Sequence, residues 1–427
     1  MNIYRAWGYG TPPFQTTALP ANELGQELLV GRDAELQKLK VQLHHPPKAV
    51  TVEGANGVGK TSLVNVAAYS CYVDFLKSGE GPLLIPCAQT FQLCDDNDVE
   101  AFIDSVYMAV GQTLIDEAEA IQPSGRNLPR TQSIDRWLNS PHVTSYQAGF
   151  WLLSGGRSTE TNTSAGFQRS GFRKEIRSWL KDIFATPEDG GVVCVIDNME
   201  LLQTSARART TLEALRDSLL TVPGLRWVLC GAAGIIQSVA TSPRLEGVLH
   251  APIDVPGVDD ALATRILDSR VRAFAVKKEP YIPLHKADFE DLYNLLNRNI
   301  RSTLSRADNY CLWVSERAHP YSEEEKHEVF LHWLTLESSS ALDAARTMVG
   351  QRAWRLFDEV SRCGGEFSPG DHKDFGFNST PAMGPHVRDL ENAGLLTSIQ
   401  DDADRRRKTI QITSKGWLIA HARKNGP

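Results

Sequence analysis

The chain has no run of about 18 consecutive apolar residues, so nothing in it is built to cross a bilayer as a helix. Its opening, MNIYRAWGYGTPPFQ, lacks a basic stretch followed by an apolar one, so no secretory leader is expected. Cysteine is scarce. There are seven in 427 residues, an odd number without repeated spacing, which argues against a disulfide framework and for a reducing, cytoplasmic setting. Cys194 and Cys230 stand inside apolar runs and read as buried thiols. Neither Cys87 with Cys94 nor His44 with His45 has a second pair at zinc-site spacing, so no structural zinc centre is expected. Positive charge is not in excess either: 45 Lys and Arg stand against 52 Asp and Glu, a net charge of −7. Residues 341–427 are the exception, with thirteen basic against eleven acidic residues. Any contact with nucleic acid is therefore expected near the carboxyl end.

What is present is enough for a sizeable core. The chain is 41% hydrophobic and long enough for two or three domains. Residues 1–27 are rich in Pro, Thr and aromatics without periodicity, and read as an extended arm. LLVGRDAELQKLKVQL, 28–43, has helical apolar spacing, and HHPPK ends it. AVTVEG, GPLLIPCAQ, GGVVCVID and LRWVLCG are short apolar runs bounded by turn residues, hence buried strands. KTSLVNVAAYSCYVDFL, DVEAFIDSVYMAVGQTL, FRKEIRSWLKDIF and RTTLEALRDSLLTV are helical segments between and after them. Alternation of strand and helix predicts a parallel sheet covered on both faces. Residues 152–170, rich in Gly, Ser and Thr, read as a mobile surface loop. After about Val255 the strand pattern stops, and 258–338 reads as helical. No internal repeat is present.

The stretch TVEGANGVGKTS carries the chemistry. Gly54, Ala55, Asn56, Gly57, Val58, Gly59, Lys60 and Thr61 have the spacing of a phosphate-cradling loop, after a strand and opening a helix. The glycines let backbone N–H groups turn toward phosphate oxygens, and the helix end at Lys60 adds its dipole. Lys60, expected to be exposed, would reach the outer phosphates of ATP, and Thr61 would ligate Mg²⁺. A second part of such a machine is an acid at the end of a buried strand. VVCVIDNME supplies Asp197, and a carboxylate there is costly without a cation partner.

With LLVGRDAEL before the loop, WVLCGAAG after the acid strand, and NRNIRSTLSRADNYCLWVSERA beyond, residues 28–316 resemble an AAA+-type ATPase of the origin-recognition kind, or its STAND signalling relatives. The resemblance implies an α/β P-loop NTPase: a three-layer sandwich around a parallel sheet, followed by a helical lid. It implies ATP and Mg²⁺ as cofactors, with Thr61 and Asp197 holding the metal and Ser62 and Arg32 beside the nucleotide. It implies that Arg244 reaches a neighbouring subunit's nucleotide and that Arg301, in the lid, contacts phosphates. Two positions depart from the pattern. The polar residue of the WVLCG strand is Cys230 or Gly231, and the usual Asp-Glu pair reads Asp197 followed by Asn198. Slow hydrolysis is the expectation, unless Glu200 takes the water-orienting place from the next turn.

In the last block, GQRAWRLFDEVSRCGG, GPHVRDLENAGLLTSIQ and TIQITSKGWLIAHARK give helix, helix, strand, charged turn, strand, helix. That order resembles a winged-helix domain. A groove helix is expected at about 385–392, shortened by Gly384 and Pro385, with Arg388 exposed for bases and Arg405, Arg406, Arg407 and Lys408 on the wing for phosphates. The expected organisation is an arm at 1–27, an ATPase domain at 28–255, a lid at 256–340 and a winged helix at 341–427. Two functions stay open. One is an ATPase placed on duplex DNA, in replication, transposition, or an antiphage or mobile-element system. The other is a STAND-type sensor whose winged helix clamps the ATPase and whose partner is a protein effector or a second copy of the chain.

Overall fold

The computed structural model describes residues 2–93, 98–126, 169–202, 205–400 and 408–425. The 152–170 stretch, but for its last two residues, and the wing arginines Arg405, Arg406 and Arg407 lie outside the described residues. The first helices are α1 (Ile3–Trp7), α2 (Glu23–Leu28), α3 (Asp33–Leu43), α4 (Lys60–Ser78), α5 (Val99–Asp116) and a single turn, α6 (Ala118–Ile121). Then follow α7 (Arg169–Ile183), α8 (Ser205–Leu215), α9 (Ala233–Ala240), α10 (Ala263–Phe274), α11 (Lys286–Leu295), α12 (Ile300–Ser315) and α13 (Glu323–Arg346). The last are α14 (Gln351–Arg362), α15 (Thr380–Asn392) and α16 (Ser414–Asn425).

Five strands, β1 (Val50–Glu53), β2 (Leu83–Gln92), β3 (Gly190–Asp197), β4 (Leu225–Gly231) and β5 (Ile253–Asp254), make one parallel sheet in the order β2-β3-β4-β1-β5. The fold is mixed α/β, and the sheet is covered on both faces. Alternation along β3 shows why. Val192, Cys194 and Ile196 enter one core with α5, α7 and α8, while Val193 and Val195 enter another with α3 and α4. A strand buried on both sides needs an unbroken apolar run, and β3 is buried at every position. The carboxyl ends of β1, β3 and β4 come side by side, Glu53 opposite Gly231 and Ile196 opposite Leu229.

Helices α10 to α13 form a separate core built on Leu267, Phe289, Tyr293, Tyr310, Phe330 and Trp333. The arm belongs to it. Residues 1–27 are not extended: Asn2 caps α1 by accepting from the Tyr4 N–H, and Gly8, at φ 103°, ends it. Tyr4, Trp7, Tyr9 and Phe14 are then buried among the lid's side chains, with Tyr9 bridged to Ala275 as in a sheet. Aromatic burial, not backbone periodicity, holds this segment.

The chain enters its last block inside α13. Ala345 packs with the carboxyl-terminal core, while Trp333 and Leu334 of the same helix pack with the lid. There, β6 (Glu366–Phe367), β7 (Leu396–Gln400) and β8 (Lys408–Ile412) form an antiparallel sheet in the order β6-β8-β7, flanked by α14, α15 and α16. The expected order of helix, helix, strand, strand, helix is present, with β6 added at the sheet edge. Gly384 and Pro385 do not shorten α15, which runs through them from Thr380. Met383, Val387 and Leu390 dock one face, and that packing outweighs the backbone bond Pro385 cannot donate. Among the described residues no helix is long and apolar enough to cross a membrane.

Because Trp7 is buried in the lid core, Trp7→Ala should destabilise the lid by about 3 kcal/mol, the usual size for a core aromatic. Urea denaturation followed by circular dichroism measures it. A change within about 0.5 kcal/mol, typical of surface positions, would show that the arm is not part of the core.

Candidate nucleotide site

The loop after β1 is shaped by backbone constraints before any side chain acts. A Cβ on Gly54 would lie 2.5 Å from the Val255 carbonyl oxygen. Gly57 adopts φ +83°, and a Cβ there would lie 2.4 Å from the Asn299 side-chain oxygen. Both positions exclude larger residues. The loop then delivers Lys60 and Thr61 into the first turn of α4, whose unsatisfied N–H groups and dipole favour an anion.

Lys60 is not exposed, as its place in a Gly-rich loop suggested, but 6% accessible. Its ammonium donates to the Gly54 and Ala55 carbonyls at 2.9 and 3.2 Å, inside the loop. The Thr61 hydroxyl donates to Asp197 Oδ2 at 2.6 Å. Asp197 Oδ1 is buried with no protein partner. A hydroxyl and a carboxylate in contact, with one carboxylate oxygen left over, suit a hard cation held through oxygen. Mg²⁺ fits this donor set, with Thr61 and Asp197 as the holding residues.

Arg32 reaches the loop from the start of α3. Its guanidinium donates to the Val58 carbonyl at 2.9 Å and lies 3.5 Å from Glu35. Burial lowers its pKa, with Glu35 opposing that. From the lid, Asn299 donates to the Asn56 carbonyl at 2.5 Å while capping α12, and the Arg301 N–H donates to the Gly57 carbonyl at 3.2 Å. Arg301 is exposed and lines the same cavity as Asn56, Gly57, Val58, Gly59, Lys60, Thr61, Ser62, Asp197, Asn198 and Arg32. The same cavity is also lined by Leu28, Leu29, Val30, Val258, Ile266 and Leu304. Charged and apolar walls in one cleft, at the carboxyl ends of parallel strands, suit a polyphosphate carrying an aromatic base.

Other predicted residues stand apart. Asn198 lines the cavity in a left-handed conformation, φ 54°. Glu200 lies in the turn Met199–Leu202, not among the cavity residues; one carboxylate oxygen is buried without a partner, and its charge helps raise the Cys230 thiol pKa, after burial and Asp197. Arg244 is 66% exposed and sits 3.5 Å from Glu213, away from the cavity. Gly231 lies under Met199 and Ile236.

The sequence reading missed three contributions. Asn299 is one. Another is Arg270, 6% accessible on the cavity wall. The third is the arm, whose residues 16–19 line the cavity. Arg270 had a signal: it continues the buried stripe Ala263, Ile266, Leu267 at helical spacing, where a cation has no bland reason to be.

No family model and no curated protein matches this chain. Among solved structures it is similar to the Aeropyrum pernix ORC2 protein in its ADPNP-ADP complexes, at TM-score 0.49 and 11% identity over 98% of this chain and 99% of that one. It is also similar to the Walker-type ATPase paby2304 of Pyrococcus abyssi, at 0.45 and 14% over 96% and 99%. A third is the A. pernix ORC1 protein in complex with DNA, at 0.43 and 13% over 93% and 96%. These neighbours are of the Orc1/Cdc6-like AAA+ ATPase kind, and at such identity and TM-score the likeness says nothing of what this chain binds.

If the cluster works as its geometry indicates, Lys60→Ala should abolish ATP binding in calorimetry with a non-hydrolysable analogue. Asp197→Asn should retain nucleotide but lose the gain in affinity on adding Mg²⁺. Unchanged affinity in the lysine variant, at wild-type melting temperature, would refute the phosphate-loop assignment.

Proposed function

We propose that this chain is an ATP-binding, slowly hydrolysing AAA+-like ATPase whose nucleotide state sets its conformation, and whose winged helix contacts duplex DNA. The observation that carries the ATP part is the meeting of Lys60, the Thr61–Asp197 pair and lid residues Asn299 and Arg301 around one loop. Bound nucleotide supplies the phosphoanhydride and Mg²⁺ its charge neutralisation. The protein's part is to hold both. Thr61 and Asp197 would hold the cation, Lys60 would turn from the loop carbonyls toward phosphate oxygens, and the apolar wall would exclude water from the base.

Hydrolysis needs an oriented water. Asn198, not an acid, faces the cavity, and Gly231 brings no polar side chain. Turnover should therefore fall well below the roughly 10 per second typical of enzymes. Steady-state phosphate release measures this, and tens per second without a partner would refute it. Glu200, in the turn just after Asn198, is the carboxylate expected to substitute, so Glu200→Gln should stop residual turnover and spare binding.

For DNA, support comes from an exposed Arg388 on α15 and a basic run ending at Lys408, the first residue of β8. A second reading has its own support. Leu418 of α16 is buried in the lid core, and Asn297 donates to the Gly364 carbonyl at 3.5 Å, so the last domain is packed onto the lid as a clamp would be. Salt-dependent duplex binding separates them. Changing Arg405, Arg406 and Arg407 together to Ala should weaken all duplexes alike and flatten the plot of log affinity against log salt by about one unit per lost contact. Wild-type protein without duplex affinity at low salt, with or without ATP, would leave the protein-sensor reading in place.

A further inference from the structure

The amino-terminal arm is tied at both ends, and what it crosses is the nucleotide cavity. At one end Tyr4, Trp7, Tyr9 and Phe14 are buried in the lid core. Backbone bonds reinforce the hold, Gly10 N–H to the Phe274 carbonyl at 2.9 Å, Val276 N–H to Gly8 at 2.9 Å and Tyr281 N–H to Trp7 at 2.8 Å. At the other end the Leu19 N–H donates to the Ser62 hydroxyl at 3.0 Å, and Asn65 donates its amide to the Leu19 carbonyl at 2.9 Å. Both partners lie in the first two turns of α4, close after Thr61. Between these anchors residues 16–19 pass along the cavity, with Thr16, Thr17 and Ala18 exposed to solvent and Leu19 buried.

Arg270 holds the middle. One guanidinium nitrogen donates to the Pro13 and Gln15 carbonyls, each at 3.1 Å. The group is 6% accessible, and burial lowers its pKa to about 10, so it stays charged at neutral pH. Its Nε is buried without a partner. A buried charged donor left unpaired is costly, and this one belongs to a side chain on the cavity wall. A nucleotide offers such a donor phosphate oxygens, ribose hydroxyls and ring nitrogens of the base as acceptors.

We propose that residues 16–19, held by Arg270, Ser62 and Asn65, are a working wall of the nucleotide site that closes over the bound ligand, so that nucleotide leaves only when the arm lifts. This deepens the nucleotide reading above and rests on it. The arm joins lid to ATPase body, so its detachment and lid opening are one motion. Ser62 stands next to Thr61, which places the arm's anchor beside the residue that meets the cation.

The test is release of radiolabelled ADP from the full-length protein, chased with excess unlabelled ADP. The label sits on phosphorus, so no bulky ribose tag disturbs the wall. Arg270→Gln and Asn65→Ala should each speed release about tenfold or more, the size expected for losing such hydrogen bonds. Asn65 is half-buried and outside the cavity, so Asn65→Ala keeps the test open if the buried Arg270 variant folds poorly. Release unchanged in Asn65→Ala overturns the proposal, even with Arg270→Gln fast, because Arg270 would then act on the ligand alone. Wild-type protein that retains no ADP fails the nucleotide reading itself, and Lys60→Ala, measured beside it, tells the two failures apart.

Discussion

The structure turns on Asp197. Every residue of β3 is buried, and the strand ends on a carboxylate that is 6% accessible. Such a group needs a partner. The Thr61 hydroxyl, 2.6 Å away, satisfies one oxygen and leaves the other open. This fixes two elements relative to each other, the end of the acid strand and the first turn of the loop helix. β4 lies between β1 and β3, so the contact spans a strand. The end of β4 carries the small residues Cys230 and Gly231, and a Cβ on Gly231 would meet Met199 and Ile236.

Around this contact the loop carbonyls are engaged from three sides. Lys60 takes Gly54 and Ala55 from within, Arg32 takes Val58 from α3, and Asn299 and the Arg301 amide take Asn56 and Gly57 from the lid. The α10–α13 core is therefore bonded directly to the loop, and a shift of α12 must either break the Asn299 bond or carry the loop with it. Small interface movements have discrete consequences because packed contacts do not stretch.

Much of the body was legible in sequence, for a physical reason. Strands buried on both faces are continuous apolar runs, and the phosphate loop is a local motif, so its spacing survives without tertiary context. The lid's contributions were legible in part. Arg301 could be placed by resemblance, but Asn299 reads as an ordinary helix cap, and its second role depends on a residue 243 positions away. The arm was illegible. Its aromatics have no period because their partners, Asp308 for Tyr4 and Arg270 for the Pro13 carbonyl, come from the far side of the sequence. Lys60 was misjudged as exposed because glycine-rich loops usually are; here its ammonium folds back onto the Gly54 and Ala55 carbonyls of the loop. At Pro385 a local rule lost to packing, with three apolar side chains keeping α15 intact.

The carboxyl-terminal domain shares α13 with the lid, and α16 packs back along the same helix. A domain on a flexible tether would move freely of the α10–α13 core. One built on a continuous helix and a shared core cannot, because rotating it exposes Leu418 and strains the Asn297 contact. The carboxyl-terminal domain is therefore joined through that core to α12, which bonds the loop after β1. The exposed side of α15, with Arg388, faces away from its apolar contacts and is open to a partner without undocking. Should ligands at α15 and at the loop each prefer one position of α12 and α13, their affinities would be coupled, and such coupling is reciprocal.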